Sequence, residues 1–216
     1  YDLKRAYWWE QRWRQGVRNP TQPQQVIFSH QDVKQNSTSP QYDIIYIGGA
    51  LGVIHAAVMA RLGYKVLLIE RLPFGRMNRE WNISRDEIQN LINLGLLTSN
   101  EVESIIACEY KDGFNKFFDA NNPKKLKAPV LHTPTVLNIA LKSDKWLQLC
   151  GEKLKAAGGE ICDNTEFIRA DIDNSQVSVT VKNLTNNSET KVSGRLLVDA
   201  MGTASPIAWQ LNGSRA

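Results

Sequence analysis

Ile47-Gly48-Gly49-Ala50-Leu51-Gly52 is the stretch that decides the fold. Before it, Asp43 to Ile47 is a short apolar run of strand length; after it, Leu51 to Leu62 carries helical periodicity. A second apolar strand, Lys65 to Ile69, follows and ends at Glu70. The order strand, glycine turn, helix, strand is a βαβ opening. Glycines have a physical job at such a turn. The backbone must adopt conformations, and approach its neighbours, in ways that a Cβ would block, so that amides at the helix N-terminus can face a pyrophosphate. Glu70 stands where a carboxylate can accept both hydroxyls of an adenosine ribose. Glycines, strand, helix and acid together mark a dinucleotide site, with Gly48, Gly49, Gly52 and Glu70 as its residues; the bland reading is a glycine-lined turn. The pattern G-x-G-x-x-G fits in two registers. Aligned on Gly52 it puts Ile47 at the first glycine, and aligned on the strand end it starts at Gly48 with the loop one residue short.

Further along, Ser84 with Glu87 and Thr98 with Glu101 are capping boxes, the first before Ile88, Leu91, Ile92 and Leu94 with Gly95 as stop. Tyr110 to Pro134 reads as mostly irregular, with Phe114, Phe117 and Phe118 expected inside and Lys124, Lys125 and Lys127 in water. A helix from Ser143 to Ala157 ends at Gly158-Gly159. Strands are expected at Glu160 to Cys162, Glu166 to Ile172, Gln176 to Asn183 and Thr190 to Ser193, with Asn186-Asn187 as a turn. A last strand, Arg195 to Ala200, runs into Met201-Gly202-Thr203. The fold class is therefore α/β, a Rossmann-type parallel sheet with helices plus a small antiparallel sheet. Residues 1–41 read as an arm and linker, and 42–216 as the front part of a nucleotide-binding domain incomplete at its C-terminus. The chain is expected to be an N-terminal fragment of a larger protein and inactive alone.

Bulk properties narrow the classes. The 26 basic residues are interspersed with 22 acidic ones for a net +4, so no nucleic-acid partner is implied. Cys108, Cys150 and Cys162 are odd in number and lack metal-ligand spacing, which points to a reducing compartment, free or buried thiols and no metal. The most apolar run, Val53 to Ile69, is broken by His55, Arg61 and Lys65 and cannot span a bilayer. Any membrane contact must be peripheral. The arm carries Trp8, Trp9 and Trp13 among arginines, and reads either as a helix at a lipid interface or as an element packing on the remainder of the protein.

The far end of the chain separates FAD from NAD. Arg195-Leu-Leu-Val-Asp199-Ala-Met-Gly202-Thr-Ala-Ser205 resembles the late strand and turn of flavoprotein hydroxylases and reductases, which favours FAD. Asp199 and Gly202 then either meet the flavin or serve the turn itself. Tyr46 to His55, Glu70-Arg71, Gly75 to Arg85 with the string Glu80-Trp81-Asn82-Ile83-Ser84-Arg85, and Leu196 to Ser205 together resemble the cyanobacterial lycopene cyclase family (CruA/CruP type). The resemblance runs from about Tyr42 to Ala216. It implies FAD in its reduced form, NAD(P)H as electron source, a lycopene-like carotenoid substrate, a cyanobacterial source and a cytoplasmic enzyme peripheral to a photosynthetic or cytoplasmic membrane. Its reaction would be an acid-catalysed, isomerase-type cyclisation of the linear end group without net redox change.

Such chemistry needs a carboxylic acid whose proton is retained through burial. Glu80 is the single candidate named, against the reading that it pairs with Arg79 or Arg85. Arg79 and Arg85 are candidate cofactor or structural anchors, since guanidinium forks suit phosphate and carboxylate, and Arg71 of the Glu70-Arg71 string is a further candidate cofactor residue. Two other functions stay open: an FAD- and NAD(P)H-dependent reductase or hydroxylase of another isoprenoid, and a nucleotide-binding module without catalysis. Oligomeric state has no signature in the sequence.

Overall fold

The computed structural model describes residues 2–18, 23–29, 39–77 and 79–212. In chain order the elements are α1 (Asp2–Arg18), β1 (Ile27–Ser29), β2 (Tyr42–Ile47), α2 (Gly52–Arg61), β3 (Val66–Ile69), β4 (Trp81–Ile83), α3 (Arg85–Asn93), α4 (Ser99–Ile105) and β5 (Ile106–Glu109). There follow β6 (Asp112–Asn115), β7 (Leu131–Pro134), β8 (Ile139–Leu141), α5 (Ser143–Ala156), β9 (Glu160–Cys162), β10 (Thr165–Ile172), β11 (Val177–Asn183), β12 (Glu189–Asp199) and α6 (Pro206–Leu211).

The main sheet has seven strands in the order β1-β10-β11-β12-β2-β3-β9. The block β12-β2-β3-β9 is parallel, and β10-β11-β12 is an antiparallel meander. Parallel strands are buried on both faces and alternate their side chains. Here Ile44, Tyr46, Val66 and Leu68 face one apolar cluster with α2 and α5, while Ile45, Ile47, Leu67 and Ile69 face another built from the meander and Ile207 of α6. The small residues Ala56, Ala57 and Ala60 let α2 lie close on the first face.

The two capping boxes form as expected. The Ser84 amide donates to Glu87 Oε2 at 2.9 Å, and Thr98 exchanges bonds with Glu101 in both directions, its amide donating at 2.8 Å and its hydroxyl accepting from the Glu101 amide at 3.2 Å. Helix α5 ends two residues before Gly158, which holds φ +85°.

Two expectations are corrected, the division of β12 and the burial of the phenylalanines, and further elements are added. The segments Thr190 to Ser193 and Arg195 to Ala200 are one strand, β12: its first half pairs antiparallel with β11 and its second half parallel with β2. Gly194 sits at the changeover, where a Cβ would lie 2.9 Å from the Ile45 side chain. The arm and linker contain β1, which adds to the sheet edge beside β10 because Val26 is buried and Gln210 accepts from the amides of Val26 and Ile27 at 2.7 and 2.8 Å. Residues 110–134 hold the hairpin β6-β7. Phe114, on β6, and Phe117 and Phe118, in the connection after it, are exposed, not buried: among the described residues the hairpin strands pair only with each other, and Phe118 is 95% exposed. Finally, the string after β3 forms β4, which joins β8 and β5 in a separate three-stranded sheet.

Candidate nucleotide site

At the C-terminal ends of β2 and β3 lies an open cavity of about 420 Å³, lined by Gly48, Gly49, Glu70, Arg71, Thr165, Glu166, Phe167, Ala200, Met201 and several aromatic side chains. That volume lies in the range of small-molecule sites, roughly 300–1,000 Å³. Its position is where open α/β sheets take their ligands, outside the carboxyl ends of parallel strands.

The glycine turn is built by close approach. Strand β2 ends at Ile47, and Gly48 turns away with φ +108°, its amide donating to the Ile69 carbonyl at 2.8 Å. A Cβ on Gly48 would sit 2.6 Å from the Ala200 carbonyl carbon, so the turn after β12 presses directly on it. On Gly52 a Cβ would lie 2.9 Å from the Ala200 Cβ. The two outer roles of the fingerprint, tight turn and close packing, thus fall to Gly48 and Gly52. The register aligned on the strand end holds, and the loop is one residue short. Helix α2 begins after Leu51 without a side-chain cap and with no acidic residue in its first turn, so its partial positive charge is directed at the turn.

Glu70 follows β3 and ties the loop together. The Gly49 amide donates to its Oε2 at 2.7 Å and the Leu72 amide to its Oε1 at 2.8 Å. A carboxylate has about four acceptor positions. Two are used by the backbone, which leaves capacity for the two hydroxyls of a ribose while the carboxyl plane is held fixed. Arg71, next in the chain, reaches Glu166 across the same cavity at 3.8 Å, and both side chains are largely exposed. These residues fit an adenosine diphosphate group: a cradle without Cβ atoms for phosphate, an oriented acid for ribose, and an uncapped helix start behind them.

The other candidates lie elsewhere. Asp199 is not among the lining residues; its Oδ1 accepts from the Met201 amide at 3.0 Å and its Oδ2 from the Ser205 hydroxyl, which in turn caps α6 by accepting from the Ala208 amide at 3.0 Å. Gly202 holds φ +66° with open space around it. Both serve the turn whose Ala200 and Met201 line the cavity. Arg85 lies outside the cavity: its guanidinium spans Glu103 and Glu109, each at 2.5 Å, pinning α3 to α4 and β5 and holding the Glu109 carboxyl below its ordinary range. Arg79 and Glu80 are exposed and outside the cavity, and the Arg79 carbonyl accepts from the Ser143 hydroxyl. The burial that an acid role for Glu80 requires is therefore not present in the described residues.

Sequence reasoning missed the aromatic part of the lining: Trp8 and Trp9 of α1, Phe167 of β10 and Trp209 of α6. Only the enrichment of tryptophan in the arm signalled anything. His55 lies exposed on α2, with the Tyr46 hydroxyl 2.6 Å from its Nδ1.

No protein-family model and no curated protein sequence matches the chain. Solved structures do. The chain is similar to the flavin-dependent monooxygenase PieE in complex with FAD and substrate, with TM-score 0.62 and 17% identity over 81% of this chain and 33% of that one. It is similar to the myxobacterial chondrochloren halogenase CndH, a variant of FAD-dependent halogenases, with TM-score 0.61 and 19% identity over 76% of this chain and 38% of that one. A third is a geranylgeranyl bacteriochlorophyll reductase-like protein from Thermoplasma acidophilum, with TM-score 0.55 and 18% identity over 82% of this chain and 40% of that one. The chain spans between a third and two fifths of the length of these structures. At such identities the likeness shows the fold alone, a Rossmann-type α/β domain of the kind found in these flavoproteins.

Proposed function

We propose that this chain forms the adenosine-diphosphate-binding half of an FAD-dependent enzyme of the flavoprotein oxidoreductase fold, and that the whole enzyme is a lycopene cyclase. The observation that carries the first part is the Gly48-Gly49 cradle closed by Glu70 at the ends of β2 and β3. The second part rests on the sequence resemblance, above all on Glu80 to Arg85. In this reading Gly48, Gly49 and the start of α2 receive the pyrophosphate, and Glu70 receives the ribose. Arg71 lies at the same cavity and balances Glu166. The turn from Ala200 to Ser205, locked by Asp199, keeps Gly48 in its positive-φ conformation.

Bound in its reduced form, with NAD(P)H as the electron source, the flavin would supply stabilisation of positive charge in a site from which water is excluded. The cyclisation adds a proton to a terminal double bond, captures the cation internally and loses another proton, so substrate and product have the same mass. The proposal assigns Glu80 no part in that proton transfer, since it is exposed. Asp199 and Gly202 act through the turn and not by touching the ligand.

A carotenoid resides in a bilayer, so the reading includes peripheral membrane contact. Among the described residues no helix is long and apolar enough to cross a membrane. The hairpin β6-β7 and its connection expose Phe114, Phe117, Phe118, Leu126 and Leu131 beside Lys116, Lys124, Lys125 and Lys127, a mixture suited to an anionic lipid surface.

A second reading, an FAD-dependent reductase or hydroxylase of another isoprenoid, is favoured by the fold likeness to the reductase-like and monooxygenase structures. Product analysis separates the two. Absorbance of the full-length protein should show about one FAD per chain, and incubation with lycopene under reducing conditions should give a cyclic product of unchanged mass. A product with added hydrogen or oxygen would select the second reading, and a protein that holds nucleotide but turns over no isoprenoid would leave a binding module.

A further inference from the structure

The dinucleotide reading leaves one part of the ligand without a partner. Gly48, Gly49 and the start of α2 serve phosphate, and Glu70 serves ribose, but none of them offers a surface to the flat aromatic base. The cavity nevertheless has such surfaces. Of the six tryptophans in the chain, Trp8, Trp9 and Trp209 line this one cavity, although they come from opposite ends of the sequence. The indoles of Trp8 and Trp9 meet edge to face, with ring centroids 4.7 Å apart and an interplanar angle of 79°. Trp209 is held in place by its Nε1 donating to the Thr203 carbonyl at 3.0 Å.

Helix α1 has no comparable use for its other large apolar side chains. Leu3, Tyr7, Trp13 and Val17 are each at least 63% exposed, while the adjacent pair Trp8-Trp9 is directed to the same cavity as Gly48, Gly49 and Glu70. Trp8 still has 46% of its surface open, area that a stacked base would cover. Base-on-indole stacking is indifferent to hydrogen-bond pattern but requires a flat π-face, which adenine has.

We propose that α1 is the closing element of the nucleotide pocket, with Trp8 and Trp9 packing on the adenine of a bound adenosine diphosphate group. The inference rests on the dinucleotide reading above and extends it to the N-terminal arm, which then serves the cofactor and not a lipid surface.

The test is calorimetric titration of the full chain with ADP, which carries the base, ribose and diphosphate alone. FAD and NADH are titrated in parallel, because both contain that group. In W8A/W9A the affinity for ADP, and for whichever dinucleotide binds the unaltered protein, should fall about 10- to 100-fold, the loss that a stacked base gives on alanine substitution. W8F/W9F should stay within about threefold, since phenylalanine keeps a π-face. W13A, on the same helix but outside the cavity, should be unchanged. Hydrogen exchange of the α1 amides in the unaltered protein should slow when ADP is added, a readout that needs no variant to fold.

Equal ADP binding by W8A/W9A and the unaltered protein, with E70A still weakened, would overturn the role of α1 and leave the dinucleotide reading standing. Absence of ADP-induced protection in α1 would overturn it as well. If the unaltered protein bound none of ADP, FAD and NADH, the dinucleotide reading itself would fall and the inference with it.

Discussion

Replacing Gly48 by alanine tests the construction of the site directly. Two costs arise at that position. With φ at +108°, an L-residue is held in sparsely populated backbone space, at about 1–3 kcal/mol. The new Cβ would stand 2.6 Å from the Ala200 carbonyl carbon, and an intrusion of that kind into packed backbone costs about 1–3 kcal/mol more. Gly202→Ala supplies the control: its φ is +66°, but nothing lies within 4 Å of the added Cβ, so only the conformational cost of about 1–2 kcal/mol remains. In urea unfolding, where m is about 1–3 kcal/mol per molar, G48A should therefore reach its midpoint roughly 0.5–2 M below G202A. G48A should also lose FAD, because the turn can relieve the clash only by moving the cradle. Coincident midpoints for the two variants would refute the reasoning, since Gly48 and Ala200 could not then be in contact as described.

Other outcomes follow from the same geometry. Arg85→Ala should lower stability modestly and in a salt-sensitive way, as exposed ion pairs do, while the FAD dissociation constant measured by fluorescence stays within about twofold; a large loss of FAD would restore Arg85 as an anchor. Cys150 is buried, and that burial pushes its thiol up to about 12, so iodoacetamide at pH 8 should label exposed Cys108 and spare Cys150 until the protein unfolds. Glu101 is held below its ordinary value of 4.5 first by Lys153, at 2.6 Å, and then by the Thr98 amide. Because its folded-state pKa is depressed, its contribution is complete above that ordinary value and disappears as pH falls through the folded value. Glu101→Gln should accordingly flatten the acid limb of a stability-against-pH curve below about pH 4.5 and leave its slope near neutrality alone. Phe117→Ser with Phe118→Ser should reduce sedimentation with vesicles rich in phosphatidylserine, and undiminished sedimentation would remove the hairpin from the membrane-contact reading.

What the sequence disclosed was whatever chain neighbours determine. The strand into Ile47, the turn at Gly48, the helix after it and the acid at Glu70 are fixed by local pattern and spacing, and all four stand in the structure. So do the capping boxes at Ser84 and Thr98, whose partners lie three residues away. What it withheld depends on distant partners. Nothing near Arg85 says that its guanidinium will meet Glu103 and Glu109, and nothing near Phe118 says that no layer will cover it. The two candidate registers of the glycine loop could be separated only by Ala200, about 150 residues downstream, because it is Ala200 that forbids a Cβ at Gly48. Trp8 and Trp209 illustrate the same limit, since periodicity assigns a face to a helix but not the cavity that the face will meet.

The position of β12 between β11 and β2 has a consequence for how this protein comes into being. Strand β2 is flanked by β3, made directly after it, and by β12, which is made about 150 residues later. Until then one edge of β2 is a row of unpaired amides and carbonyls, and the Gly48 turn lacks the Ala200 backbone that defines it. Non-local parallel pairing of this kind is slow to form and leaves an edge open to other chains in the meantime. The Gly48 turn thus takes its final form only once residue 200 has been made, and until then the βαβ unit lacks the backbone that fixes the cradle.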